Sequence, residues 1–274
     1  MSDDIKACCA TLYDSDFARM LLGDSFHPGG LRLTERLGEK LALGPGMSVL
    51  DVASGKGETA IFLAQRFGSE VVGIDFGPEN VKQAAARANA AGVGLLVRFE
   101  QGDAEKLGFP NASFDVVLCE CAFCTFPDKH LAAAEFKRVL RPGGRVGLSD
   151  LTRLAQLPEE LQGLLAWVAC IADARPVQEY VGYLEAAGIG NVEVETHDET
   201  LAELVRNIQA KLLGAELMSK LKKLDLEVID FAKAKVLAGA ASEAVRARRL
   251  GYALAKKRGR HGIKALRKNA LCRY

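Results

Sequence analysis

The segment Val49–Ala60, VLDVASGKGETA, constrains the fold more than any other stretch of the chain. A short β-rich run, Met47–Val52, ends near Asp51. The loop Ala53-Ser54-Gly55-Lys56-Gly57 then leads into an apolar-faced helix over Gly57–Phe67. Two glycines let a backbone come close to a ligand where any Cβ would clash. The unpaired N–H groups at the start of the helix face the same space. In open α/β sheets this is where ligands bind, beyond the carboxyl ends of the strands.

The pattern continues downstream. Strands are expected over Glu70–Ile74, Leu95–Glu100, Phe114–Cys119 and Arg145–Asp150. Helices are expected over Pro78–Ala91 and Asp128–Leu140, the second stopped by RPGG at Arg141–Gly144. Pro78 lies in the first turn of its helix and Gly92 just past its end, as helix termini favour. Strand and helix alternate with short loops, which predicts a doubly wound, mostly parallel sheet covered on both faces. Upstream, Ala18–Leu22 and Leu31–Leu43 have helical spacing on either side of HPGG, His27–Gly30. Downstream, Glu159–Cys170, Pro176–Ala187, Thr200–Leu213 and Glu216–Leu237 read as helices and Val192–Thr196 as a strand. Leu250–Ala255 offers a last strand, placed antiparallel beside the sheet. This divides the chain into a helical N-terminal cap (1–46), a ligand-binding core (47–196) and a helical extension with a possible last strand and a basic tail (197–274).

Composition narrows the class. The chain has 274 residues, 49% hydrophobic and 26% charged, as soluble globular domains do. No apolar run reaches the roughly 20 residues of a membrane-spanning helix. The first residues, MSDDIKACCA, lack a basic start, an apolar stretch and a cleavage context, so a cytoplasmic location without membrane association is expected. Seven scattered cysteines fit free thiols better than a disulfide framework. Eleven of the 36 Lys and Arg residues fall in Ala244–Tyr274, a stretch without Asp or Glu. The remainder thus carries 25 basic residues against 35 acidic ones. Such a tail docks on its own body, on another subunit or on an anion such as RNA. Only Tyr252 and Tyr274 are interleaved with its charges, so the stacking half of a nucleic-acid signature is thin.

Three features support the glycine loop as a cofactor site. Asp75 ends the second strand about 20 residues on, where an acid accepts from a ribose diol. Gly102-Asp103-Ala104 follows the third strand, where an acid can hold an adenine amino group. Phe114–Glu120, FDVVLCE, supplies a fourth strand whose end closes the pocket. A nicotinamide dehydrogenase is the natural rival, but its third glycine is replaced here by Ala60.

The series D-V-A-S-G-K-G, G-I-D, G-D-A, S-F-D-V-V and R-V-L-R-P-G-G-R resembles the class I S-adenosylmethionine-dependent methyltransferases, in order from Ser48 to Asp150. The resemblance implies a Rossmann-like, seven-stranded, mostly parallel sheet and S-adenosyl-L-methionine as cofactor. It implies that Asp51, Ser54, Gly55 and Gly57 surround the amino-acid end of the cofactor, that Asp75 binds the ribose, and that Phe76 lies against the adenine. Asp103 and Ala104 are then at the adenine rim and Glu120 at the pocket floor. Tyr13 falls where N-terminal helices cap the cofactor in this family.

The acceptor has to be read elsewhere. Methyl transfer is an in-line displacement in which positioning supplies much of the rate. A poor nucleophile also needs a base, whereas a soft one with a free lone pair does not. The run Cys119-Glu120-Cys121-Ala122-Phe123-Cys124 lies at the fourth strand's end. If the strand persists, Cys119 and Cys121 face one way. Cys121 and Cys124 have C-x-x-C spacing, yet no second pair completes a four-ligand zinc site, and no bound metal is expected. C-A-F-C-T-F-P-D-K with R-P-G-G-R-V-G-L-S-D resembles the arsenite methyltransferases. W-V-A-C-I-A-D-A, Trp167–Ala174, is similar to their substrate-binding segment, with Cys170 matching the thiol. This implies Cys121, Cys124 and Cys170 as thiolate ligands of a metalloid. The cysteine that family carries just before the glycine loop is missing from Thr34–Ser48. Cys8 and Cys9, in K-A-C-C-A, are the candidates to replace it, and the family's further C-terminal cysteine is missing too unless Cys272 serves. The alternatives are a small-molecule O-, N- or C-methyltransferase of the quinone type, with Tyr13, His27 or His130 as base or substrate contact, an RNA methyltransferase resting on the basic tail, and a non-catalytic cofactor-binding module.

Overall fold

The structure, a computed structural model, describes residues 27–162, 171, 173–221 and 230–257. Tyr13, Cys8, Cys9, Cys170, Cys272 and the expected helix over Ala18–Leu22 lie outside the described residues, as does the tail after Lys257.

Seven strands form one sheet: β1 (Ser48–Val52), β2 (Glu70–Asp75), β3 (Val97–Gln101), β4 (Phe114–Glu120), β5 (Leu140–Arg153), β6 (Val192–Thr196) and β7 (Leu250–Lys257), in the order β3-β2-β1-β4-β5-β7-β6. β1 to β5 are parallel. β7 is antiparallel to both neighbours, wedged between β5 and β6. The strand expected near Leu250 therefore joins the interior of the sheet, not its edge. Its alternating small and large residues, among them Tyr252 and Leu254, are buried on both faces.

The helices are α1 (Gly30–Lys40), α2 (Glu58–Phe67), α3 (Pro78–Ala90), α4 (Lys129–Val139), α5 (Val177–Ala186), α6 (Asp198–Lys220) and α7 (Phe231–Arg246). α4 starts where Asp128 accepts the Leu131 N–H at 2.9 Å, an ordinary N-cap. The core is the apolar filling of the strands, Leu50, Val117, Leu118 and Val146 among it, with Leu37, Leu63, Phe136 and Leu184 packed on from the helices.

Four expectations need correction. RPGG does not sit between α4 and β5. β5 begins at Leu140 opposite Phe114, and the next pair is Arg145 with Val116, so the turn is looped out as a bulge within the strand. β3 starts at Val97, because Leu95 and Leu96 belong to the preceding turn, where Leu96 N–H reaches the Val93 carbonyl. The stretch expected as a helix over Glu159–Cys170 opens on a 3-10 turn, Glu159–Leu161, and its remainder after Gln162 lies outside the described residues. The break expected after Leu213 is absent. α6 runs through Gly214, since Leu212 and Ala215 are buried on either side of it and outweigh the roughly 1 kcal/mol that a mid-helix glycine costs.

Candidate active site

Because β1 to β4 are parallel, their carboxyl ends meet at one edge, and the strand order reverses between β1 and β4. Four of the sequence-derived groups gather there. The loop after β1 turns through left-handed backbone at Ala53, Gly55 and Gly57, and Ser54 N–H bonds the Ile74 carbonyl at 2.8 Å. This anchors the loop to the end of β2. A Cβ on Gly55 would meet nothing within 4 Å, so the loop presents bare backbone to open space.

Asp75, buried at the end of β2, accepts from Gly55 N–H at 2.9 Å, Gly77 N–H at 2.9 Å and Asn80 Nδ2 at 3.0 Å. A carboxylate has about four acceptor positions, which leaves room for a ligand hydroxyl. Asp103 is half-buried after β3 and turns on itself to accept Glu105 N–H at 2.9 Å, with Ala104 buried beside it. Phe76 is half-buried and its carbonyl accepts from Gln101.

Asp51 is 2% exposed, and its Oδ2 has no hydrogen-bond partner. Burial, then the charges of Glu120 and Asp75, push its carboxyl well above the usual range, partly offset by the Ala60 N–H. The Ser54 hydroxyl is likewise enclosed without a partner. Orphaned buried polar atoms are rare in native proteins and mark a place for a ligand. Acidic and hydroxyl groups beside bare backbone N–H groups fit the ammonium and carboxylate of an amino-acid moiety. The residues present therefore suit S-adenosylmethionine.

Glu120, its side chain 3% exposed, ends β4. Its Oε2 accepts from Thr34 Oγ1 at 2.8 Å and Thr59 Oγ1 at 2.9 Å, and its Oε1 from Ser149 Oγ at 3.2 Å. The buried Tyr252 hydroxyl donates to Ser149 at 2.9 Å. His27 Nε2 lies 3.3 Å from Thr34 Oγ1 and 3.6 Å from Glu120. Sequence reasoning missed Thr34, Thr59 and Tyr252, and gave Ser149 only as part of a motif. The available signal was a hydroxyl interrupting an apolar helix face, at Thr34 between Leu33 and Leu37.

The cysteines diverge. Cys119 is buried, and burial with the charges of Asp150 and Asp51 pushes its thiol well up. β4 stops at Glu120, and Cys121 takes a φ of 53° with its N–H on the Ser149 carbonyl, so the expected alternation with Cys119 is lost. Cys121 is half-buried. Cys124 is fully buried in a 3-10 turn, Phe123–Thr125, its N–H held by Asp150 at 2.9 Å. Among the described residues no three His, Cys, Asp or Glu side chains are grouped to hold a metal. His130 is exposed in the first turn of α4, its ring edge-on to Tyr183. No helix among the described residues is long and apolar enough to cross a membrane.

Residues 43–200 match the family described as a methyltransferase domain. The chain is 34% identical over 163 residues to an arsenite methyltransferase of Halobacterium salinarum, covering 58% of this chain and 41% of that protein. It is 35% identical over 206 residues, 70% of each protein, to the 27-O-demethylrifamycin SV methyltransferase of Amycolatopsis mediterranei. Among solved structures, phosphoethanolamine N-methyltransferase 2 of Haemonchus contortus superposes with a TM-score of 0.79 at 17% identity, over 93% of this chain and 60% of that one. At that identity the likeness shows the shared fold. The chain belongs to the class I S-adenosylmethionine-dependent methyltransferases. The chain spans 41% and 63% of the length of two of the curated relatives it matches, and residues 43–200 form its S-adenosylmethionine-dependent methyltransferase domain.

Proposed function

We propose that the acceptor is a small organic molecule methylated on oxygen, nitrogen or carbon. The observation that carries this is the burial of Cys124. A trivalent metalloid needs thiolates that converge on one point, and Cys124 has no exposed surface and a backbone pinned by Asp150. The 70% mutual coverage with an enzyme named for a rifamycin oxygen supports the same reading. S-adenosylmethionine supplies a methyl group on a sulfonium. The loop at Gly55–Gly57 and Asp75 would hold the donor, close to the buried carboxylate of Glu120. Bound there, the donor would supply an electrophilic methyl carbon and keep the C–S electron pair on sulfur, and His27, 3.6 Å from Glu120, would take the proton that an O–H or N–H acceptor releases. His27→Gln should then lower kcat about 100-fold for such an acceptor, with donor affinity unchanged in a binding titration. An unaltered kcat removes His27 from this role.

A second reading, arsenite methylation, is favoured by the identity to the Halobacterium salinarum enzyme and by Cys121 at the strand end. A screen with methyl-labelled S-adenosylmethionine, offering arsenite with thiol beside phenolic, quinone and amine acceptors, separates the two. Label on an organic acceptor supports the first reading. Arsenite turnover that disappears in the Cys121, Cys124 and Cys170 to Ser triple variant overturns it.

A further inference from the structure

We infer that Glu120 is a positioning residue that acts through Thr34 on His27: it draws the Thr34 proton to itself, which holds the His27 ring in the tautomer with hydrogen on Nε2 and makes Nδ1 the nitrogen that takes the acceptor's proton. This rests on the reading of His27 as the proton acceptor given above.

Counting the hydroxyl protons gives the direction. Three hydroxyls donate to the buried Glu120 carboxylate: Thr34 on α1, Thr59 on α2 and Ser149 on β5, which itself accepts from Tyr252 on β7. Thr34 has one proton, and it lies on the 2.8 Å contact with Glu120 Oε2. The same oxygen is 3.3 Å from His27 Nε2. A hydroxyl whose proton is committed can only accept, so the hydrogen on that second contact belongs to Nε2. Turning the Thr34 hydroxyl onto His27 instead would exchange a charge-assisted bond for a longer neutral one. It would also set an imidazole lone pair 3.6 Å from the Glu120 carboxylate. Both costs favour hydrogen on Nε2.

In a neutral imidazole one nitrogen carries the hydrogen and the other the lone pair, so the lone pair falls to Nδ1. Nδ1 lies 3.3 Å from the Pro28 carbonyl, which has no proton to give. During transfer the proton of an O–H or N–H acceptor passes to the Nδ1 lone pair. The electron pair of the broken bond stays on the acceptor, which bonds the methyl carbon, and the C–S pair stays on sulfur. The imidazolium so formed has an acceptor at each N–H, the Pro28 carbonyl at Nδ1 and Thr34 Oγ1 at Nε2, and Glu120 offsets its charge. His27 and Glu120 are both buried, so little water screens that attraction.

Nitrogen magnetic resonance of the full chain, isotopically labelled at its four histidines, reads the tautomer without turnover, and His27→Gln identifies the His27 signals. Wild type should show hydrogen on Nε2 and none on Nδ1. Glu120→Gln keeps the shape and removes the charge that orients the ring, so both tautomers should appear. Thr34→Ser, which keeps the hydroxyl, should retain the wild-type pattern. With the phenolic or amine acceptor that takes label in the screen, Glu120→Gln should lower kcat at least about tenfold. Affinity for S-adenosylmethionine, titrated alongside, should change far less. A wild-type ring with hydrogen on Nδ1 alone, or on both nitrogens at the pH of turnover, overturns the inference without any variant having to fold. So does a Glu120→Gln protein that keeps the wild-type tautomer, whatever its kcat, or one that loses it at full kcat. If the expected tautomer is seen yet His27→Gln keeps full kcat, the proton-accepting reading of His27 fails, and the role of Nδ1 with it.

Discussion

Gly57 and Gly55 lie two residues apart in one loop, yet they are needed for different reasons. At Gly57 φ is 81°, and a Cβ would fall 2.5 Å from Phe99 Cζ and 2.9 Å from Ala84 Cβ. Gly57→Ala therefore forces α2, α3 and β3 apart. It should cost about 1–3 kcal/mol of stability, as overpacking does, and weaken the donor as well. At Gly55 φ is 52° and the added carbon meets nothing. Gly55→Ala should cost only about 1–2 kcal/mol of left-handed strain, while its methyl group takes up space the ligand backbone needs. Urea denaturation and titration with S-adenosylmethionine check this. Equal loss of affinity in the two variants with equal stability would sink the distinction. This loop was legible in the sequence because its contacts are local: Gly55 reaches Asp75 across 20 residues of one β-α-β unit. The Glu120 cluster was not. Thr34 meets Glu120 across 86 residues and Ser149 meets Tyr252 across 103, contacts that only tertiary packing sets. Nor does the spacing of Cys121 and Cys124 reveal that the chain turns left-handed at Cys121 and buries the second thiol.

Elements are placed by charge as well as by apolar stripes. α1 lies on the sheet with Leu37 and Leu41 over Gly147, where any side chain on β5 would clash. Its far side is tied to β6, since Arg36 and Lys40 both bond Glu195. The Arg36 hydrogen bond, with Lys40 beside it, holds the Glu195 carboxyl down at about 2 against an ordinary 4.5. A depressed carboxyl contributes stability above its unfolded pKa and loses it as pH falls through the folded one. The contribution should therefore be complete above about pH 5 and fade toward pH 2. Glu195→Gln should lower the thermal midpoint by a few degrees at pH 7, and the gap to wild type should close on acidification. A gap that stays constant from pH 7 to pH 3 would show that the tether adds nothing. Since α1 also carries Thr34, this tether helps hold a ligand of Glu120 in place. The helices of the core were readable from periodicity, capped by Asp128 and Gly68. The α6–α7 pair was not, because mutual burial of two amphipathic helices overrides a lone glycine.

At the scale of the whole molecule, the strand order explains why the chain after residue 196 belongs to the same body as the cofactor site. β7 returns from the far end of the sequence to separate β6 from β5, and brings Tyr252 under Ser149. Alternating β and α segments made the parallel half legible, while the insertion of the last strand between two earlier ones leaves no local trace. A second long-range link closes the same edge. Lys129, in the first turn of α4, is 6% exposed and reaches Asp173 at 2.5 Å and the Phe126 carbonyl at 3.0 Å. Asp173 also binds Arg175, whose carbonyl takes the Arg153 N–H at the end of β5. The pair thus fastens the segment after β5 to the loop after β4. Breaking a buried pair from one side typically costs about 3–5 kcal/mol, but Arg175 still serves Asp173 here. Lys129→Met alone should therefore cost nearer about 2 kcal/mol by urea denaturation. Adding Asp173→Leu should recover part of that loss, because two apolar residues of similar size need no desolvation of charge. The Michaelis constant for the acceptor should rise in the single variant while donor affinity holds. A single variant as stable as wild type, with both constants unchanged, would show that this contact does not fasten the two halves.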